Sequence, residues 1–143
     1  MSTPATIHTE IAAAWNKRDY NAMRSLVHRD YSYTGGDGKE IAGGPDVALG
    51  VAQMFASAFT DGVLTVKRVY VQGDTAIAEM VGTGTHNGEF MGIAPTGRQV
   101  AITICNVIEM RDGKAYRERE YMDMLAMMSQ IGVLSLPARA KSA

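Results

Sequence analysis

Apolar residues recur at two different periods along this chain, and the change of period divides it in two. Up to Gly62 the spacing is helical. Ile7, Ile11 and Trp15 fall on one face of a first helix, which Thr3 can cap and Pro4 can open. Asn16-Lys17-Arg18-Asp19 interrupts that face, and Tyr20, Met23, Leu26 and Val27 make a second, shorter stripe. Asp30 to Tyr33 is aromatic and strand-like. Gly35-Gly36-Asp37-Gly38 predicts a turn, and Lys39 to Ala42 a short returning arm. Gly44-Pro45 opens a third helix with the stripe Val47, Val51, Met54, Phe55, Ala58 and Phe59, and Gly62 is its C-terminal stop.

After Gly62 the period falls to two. Val63 to Gln72 and Thr75 to Thr85 predict two strands joined at Gly73-Asp74. Gln99 to Met110 and Lys114 to Met122 predict two more, joined at Asp112-Gly113. Both turns are of hairpin type, so the sheet is expected to be mostly antiparallel. His86 to Gly97 is a loop carrying Phe90, Met91 and Ile93, and a methionine-rich segment, Met124 to Gln130, closes the series. Helices first and strands last predict an α+β fold with the helices against one sheet face.

Such a sheet must curl around its helices, and the inside of the curl is a natural pocket. On Gln99 to Met110 the face Val100, Ile102, Ile104, Asn106 and Ile108 is the more apolar, which places it inward with Asn106 as its single polar member. On the last strand Asp123 shares its parity with Tyr121, Arg119 and Arg117, unless a bulge intervenes. The expected pocket wall is Trp15, Met54, Phe55, Phe59, Ile104, Tyr121 and Met127, with Phe90 and Met91 at the mouth. A hydrophobic small molecule is the expected ligand.

Composition narrows the function classes. The chain has 143 residues, enough for one domain, expected over 1–134, followed by a polar, flexible tail at 135–143. A formal net charge of −1 gives no basis for binding nucleic acid or an anionic membrane. No apolar run approaches the ~20 residues of a membrane span, and Met1-Ser2-Thr3-Pro4 lacks the features of a signal peptide, so a cytoplasmic protein is expected. Cys105, the one cysteine, sits in an apolar strand and reads as a packed thiol.

Several short motifs fail on context. His28-Arg29-Asp30 spells a kinase triplet in a chain too short for a kinase. Glu40 stands where a P-loop needs Ser or Thr. The glycines of Gly82 to Gly88 have the wrong spacing for a dinucleotide fingerprint. No His, Cys and carboxylate cluster has metal-ligand spacing, so no metal is expected. His8 and His28 read as surface helix residues, and His86 as a loop residue near the pocket mouth. Asp123 has three readings: a cap for Met124 to Gln130, an ion-pair partner of Arg117 or Arg119, or a pocket acid/base.

The stretch Gly84-Thr85-His86-Asn87-Gly88-Glu89-Phe90-Met91-Gly92-Ile93-Ala94-Pro95-Thr96-Gly97-Arg98 resembles the signature loop of the SnoaL-like polyketide cyclases, within the NTF2-like superfamily. Arg111-Asp112-Gly113-Lys114, Asp123 and Gln130-Ile131-Gly132 follow in the family's order and spacing, and Trp15-Asn16-Lys17-Arg18-Asp19 fits its first helix. The resemblance implies a cone-shaped α+β barrel with an apolar cavity, a homodimer joined through the sheet, and no metal or cofactor. It further implies that Asp123 acts as general acid/base in an aldol ring closure. From their expected places around the pocket, Asn106 and Tyr121, Arg119 or His86 are the expected assisting residues. The sequence departs from the family with Arg119 where tryptophan is common, Arg117 where glutamate is common, and Asn106 where some cyclases carry histidine. An inward Arg119 would hold Asp123 ionised, which resembles the arginine-assisted aspartates of the superfamily's epoxide hydrolases. Three functions therefore stand: a cyclase or isomerase, a non-catalytic ligand-binding protein, and an epoxide hydrolase-like enzyme.

Overall fold

The computed structural model describes residues 1–135 and residue 137. The elements run α1 (Ile7–Asn16), α2 (Tyr20–Ser25), β1 (Val27–Thr34), β2 (Glu40–Ala42), α3 (Pro45–Ala58), β3 (Val63–Gln72), β4 (Thr75–Thr85), β5 (Gln99–Arg111), β6 (Lys114–Met122) and α4 (Met124–Gln130). The six strands form one curved, unclosed sheet in the order β2-β1-β6-β5-β4-β3. The hairpins are antiparallel as expected, whereas β1 lies parallel to β6 and makes the sheet mixed. The tail expected at 135–143 lies, but for Ser135 and Pro137, outside the described residues.

Two boundaries differ from the sequence reading for local reasons. The first helix begins at Ile7 rather than Pro4, because the Thr6 and Ile7 amides both turn back to the Thr3 carbonyl. Val27, expected to end the second helical stripe, instead opens β1, where its β-branched side chain is buried.

The helices bury narrow faces against the concave side of the sheet. On α3 that face is Ala48, Ala52 and Ala56, and small side chains there let α1 and α2 approach closely. The sheet answers with Ala76, Ala78 and Met80 on β4 and Val100, Ile102, Ile104 and Ile108 on β5, so the parity expected for β5 holds. Ile7, Ile108 and Ile131 are fully enclosed, and each such side chain stabilises the fold by roughly 1.5–3 kcal/mol. Gly62 permits a close approach just after α3. A Cβ there would lie 2.8 Å from the Trp15 ring and 2.9 Å from the Phe59 carbonyl.

One bulge decides which face of β6 looks inward. The Asp112-Gly113 turn pairs Arg111 with Lys114 and Met110 with Ala115, but the next pair is Glu109 with Arg117. Tyr116 is the extra residue, its ring packed edge-on to His28 and beneath the Arg111 guanidinium. Without the bulge, Asn106 would oppose Arg119 and Ile104 would oppose Tyr121. With it, Asn106 opposes Glu120, Ile104 opposes Met122 and Ile108 opposes Glu118. Each side chain beyond Tyr116 has exchanged faces.

Candidate functional site

The concave face encloses a cavity of about 140 Å³. Its wall is mostly apolar, with Trp15 from α1, Val51 and Phe55 from α3, Phe59 behind it, Ile104 from β5 and Met127 from α4. Trp15 is fixed by its indole N–H, which donates to the Ala52 carbonyl at 3.0 Å, and by the Arg18 guanidinium stacked 4.0 Å from its ring.

Polar side chains gather on one part of the wall. Tyr31 and Tyr33 come from β1, and Glu118 and Glu120 from the neighbouring β6. Behind them, off the cavity surface, lie Asn106 on β5 and then His8 on α1, both buried. The hydrogen bonds close on themselves. Asn106 Nδ2 donates to Glu118 Oε1 at 2.8 Å and to Glu120 Oε2 at 3.1 Å. The Tyr31 hydroxyl donates to Glu118 Oε2, and the Tyr33 hydroxyl to Glu120 Oε1 at 3.1 Å. Four carboxylate oxygens thus meet four donor hydrogens from three groups. Asn106 Oδ1 faces His8 Nε2 at 2.9 Å.

Burial first, and then the charge of Glu118, push the Glu120 carboxyl up to about 7, against the smaller pull of its hydrogen bonds from Tyr33 and Asn106. Glu120 therefore takes up and releases a proton near neutral pH beside the Glu118 charge. Burial and the same two carboxylates push Tyr31 and Tyr33 well above the ordinary phenol range, so both remain donors. Burial pulls His8 down; the Asn106 hydrogen bond and the Glu118 charge oppose it. Among the described residues, no Lys, Arg or His lines the cavity.

The residues expected to form the site divide sharply. Asn106 is inward and belongs to the carboxylate network, and Trp15, Phe55, Phe59, Ile104 and Met127 line the cavity as expected. Asp123 is exposed and accepts from the Ala126 amide at 2.9 Å, which is the helix-cap reading. Arg119 points to the outer face and pairs with Glu109, and Tyr121 is exposed on that same face; the Tyr116 bulge put them there. Met54 lies on the solvent flank of α3, beside rather than on the Val51-Phe55-Phe59 stripe. Met91 sits at the tip of the Phe90–Ile93 turn with φ 50° and is 65% exposed. Phe90 is buried, but behind the wall, against Phe55 and Phe59. His86 is buried too, its Nδ1 bonded to Thr96 Oγ1 and its ring beside Phe59, and it does not reach the cavity. His8 and His28, expected on the surface, are both buried.

The family model for the SnoaL-like polyketide cyclases matches residues 5–131. The chain belongs to this family. Aklanonic acid methyl ester cyclase AcmA of Streptomyces galilaeus is 25% identical over 133 residues, covering 92% of each chain. IdmH of Streptomyces antibioticus, a candidate polyketide cyclase, is 29% identical with a TM-score of 0.78, covering 90% of this chain and 98% of its own. A candidate SnoaL-like polyketide cyclase from Jannaschia sp. CCS1 superposes with a TM-score of 0.84 at 20% identity, covering 92% and 93% of the two chains, and supports the fold alone. The NTF2-like α+β architecture expected from the sequence is thereby shown.

Proposed function

We propose that this SnoaL-like chain is an acid–base enzyme that moves a proton within a small, neutral carbonyl compound, with Glu120 as the proton carrier. One observation carries the reading: two carboxylates on a mostly apolar wall, with no cationic side chain among the described residues that line it. A dry cavity of ~150 Å³ takes a benzene ring, so 140 Å³ suits a ring-sized part of a substrate. The Glu118 charge disfavours an anionic group in the same space, which selects a ketone or ester over a free acid.

In the ionised state Glu120 takes a proton from the carbon next to a carbonyl, leaving an enolate. The enolate carbon attacks a second carbonyl of the same molecule, forming the carbon–carbon bond, and Glu120 returns the proton to the new alkoxide. A carboxyl near pKa 7 can perform both transfers at neutral pH. As Glu120 becomes neutral, the Tyr33 hydroxyl is freed to turn toward the oxygen where charge gathers. The likeness to a cyclase of a methyl ester supports ring closure over simple isomerisation.

The test needs no knowledge of the natural substrate. A cyclic 1,3-diketone or a 2-substituted cyclohexanone in deuterated water is expected to exchange its acidic hydrogens faster with the protein, and Glu120→Gln to remove the acceleration. Binding of such ketones without exchange would support the second reading, a ligand-binding protein, which the apolar wall also favours. The epoxide hydrolase-like reading loses its motive, since Arg119 faces away from the cavity.

A further inference from the structure

The network behind the carboxylates ends on a histidine with one ring nitrogen unaccounted for. His8 is 3% exposed, and its Nδ1 is buried without a partner. Its Nε2 lies 2.9 Å from Asn106 Oδ1. The direction of the Asn106 amide follows from its other end. The charged Glu118 carboxylate only accepts, so the NH2 group must face the glutamates and the oxygen must face His8. Oδ1 then requires a donor, and Nε2–H is the group in place.

We propose that His8 is a positioning residue for the carboxylate pair: its Nε2–H holds Asn106 Oδ1 and so aims both amide hydrogens at Glu118 and Glu120. This deepens the acid–base reading, on which its functional meaning rests. The unpartnered Nδ1 matters as much as the hydrogen bond. A protonated ring would bury a second N–H with nothing to accept it. The ring therefore stays neutral as the Nε2–H tautomer and supplies a fixed donor without a positive charge. A cation there would favour ionisation of Glu120 and remove the proton it carries. The groups facing the pair are Tyr31 and Tyr33 from β1, with Asp37 acting on Tyr33 from the following turn, and Asn106 from β5. His8 is the α1 contribution, and β4 presents only Ala76 and Ala78 beneath.

The experiment is a carbon-13 NMR titration of the Glu118 and Glu120 side-chain carboxyls in the full chain without ligand. It compares native protein, His8→Leu and His8→Gln. Leucine removes the donor and frees the amide to turn its oxygen toward the carboxylates. The apparent pKa of the pair is expected to rise by about one unit. Glutamine can place an amide N–H near the position of Nε2, and is expected to restore the native titration. Identical carboxyl titrations in all three folded proteins would overturn the proposal and leave His8 a core residue. Should His8→Leu not fold, nitrogen-15 NMR of the native imidazole decides. A neutral Nε2–H tautomer through neutral pH is expected, and an Nδ1–H tautomer or a protonated ring at pH 7 would overturn the proposal. None of these readouts involves turnover. Failure of ketone exchange alone would count against the acid–base reading and leave the His8 result standing.

Discussion

Glu118 and Glu120 stand one pleat apart on β6, point to the same side of the sheet, and are joined by the two hydrogens of a single amide, that of Asn106. Each takes its second donor from a different tyrosine of β1. The two residues share a motif yet differ in use. Glu120 lies where burial and its neighbour's charge keep it protonatable, and Glu118 supplies that charge.

Replacing either glutamate separates the roles. Glu120→Gln is expected to lower exchange or turnover by about 10²–10⁴-fold, the usual worth of a positioned acid/base, while ligand binding persists. Glu118→Gln removes the like charge, so Glu120 should ionise at lower pH. The rise of activity with pH, which in the native protein follows ionisation of Glu120, should move toward acid. Rate against pH for the two variants measures both effects; an unmoved profile in Glu118→Gln would show that the two do not interact.

The same raised carboxyl predicts a pH-dependent stability. The folded Glu120 holds its proton between the ordinary glutamate pKa, 4.5, and about 7, whereas the unfolded chain has released it. Its contribution is fully present below the unfolded value and is lost as pH rises through the folded one. The slope across that window is on the order of 1 kcal/mol per pH unit. His8 acts in the opposite sense, since its lowered value costs stability as pH falls below 6.5. Comparing native protein with Glu120→Gln cancels the His8 contribution. The melting temperature of the variant relative to native should climb from about pH 5 to about pH 8 and then level.

Asp123 should behave as a helix cap. Asp123→Ala is expected to cost about 1 kcal/mol of stability and to leave ketone exchange intact, and Asp123→Asn should preserve both. Denaturant melts with the exchange assay check this. A loss of activity far exceeding the loss of stability would return Asp123 to the site despite its exposure.

The fold was legible because its signals were redundant. The β5 face from Val100 to Ile108 alternates cleanly, and the two hairpin turns fix neighbours whatever the exact register. β6 offered no such signal. It reads Arg117-Glu118-Arg119-Glu120, with charge on both faces, so hydrophobicity cannot choose between them. An unbroken hairpin register puts Arg119 and Tyr121 inward, and one bulged residue, Tyr116, reverses the choice. The useful clue was subtler: Met122 as the apolar end of the Glu118-Glu120 face, beside a β1 with Tyr31 and Tyr33 at matching parity. His8, a polar residue, reads as a surface position from the sequence although it stands three residues before Ile11 of the apolar stripe. Its burial depends on Asn106, which lies 98 residues away and gives it a partner.

The outer face of the sheet predicts a second copy. Tyr70 pairs with Ile77, Ile77 with Val107 and Val107 with Arg119, while Cys105 pairs with Tyr121 on the adjoining row. Tyr70, Ile77 and Tyr121 are 49%, 39% and 55% exposed, so the middle of this face is apolar and wet, with the Arg119–Glu109 ion pair at its side. A twofold contact through this face would bury the same patch from both copies. Sedimentation at micromolar concentration should then give a species of twice the 15.4 kDa chain mass. Ile77→Lys places a charge in the middle of the contact, where burying it without a partner is costly. The side chain is on the outer face and 39% exposed, so the variant should fold, keep its circular dichroism, and sediment as a monomer. A native protein that sediments at 15.4 kDa would refute the dimer. So would an Ile77→Lys variant that sediments like a native dimer, because the contact would then lie elsewhere.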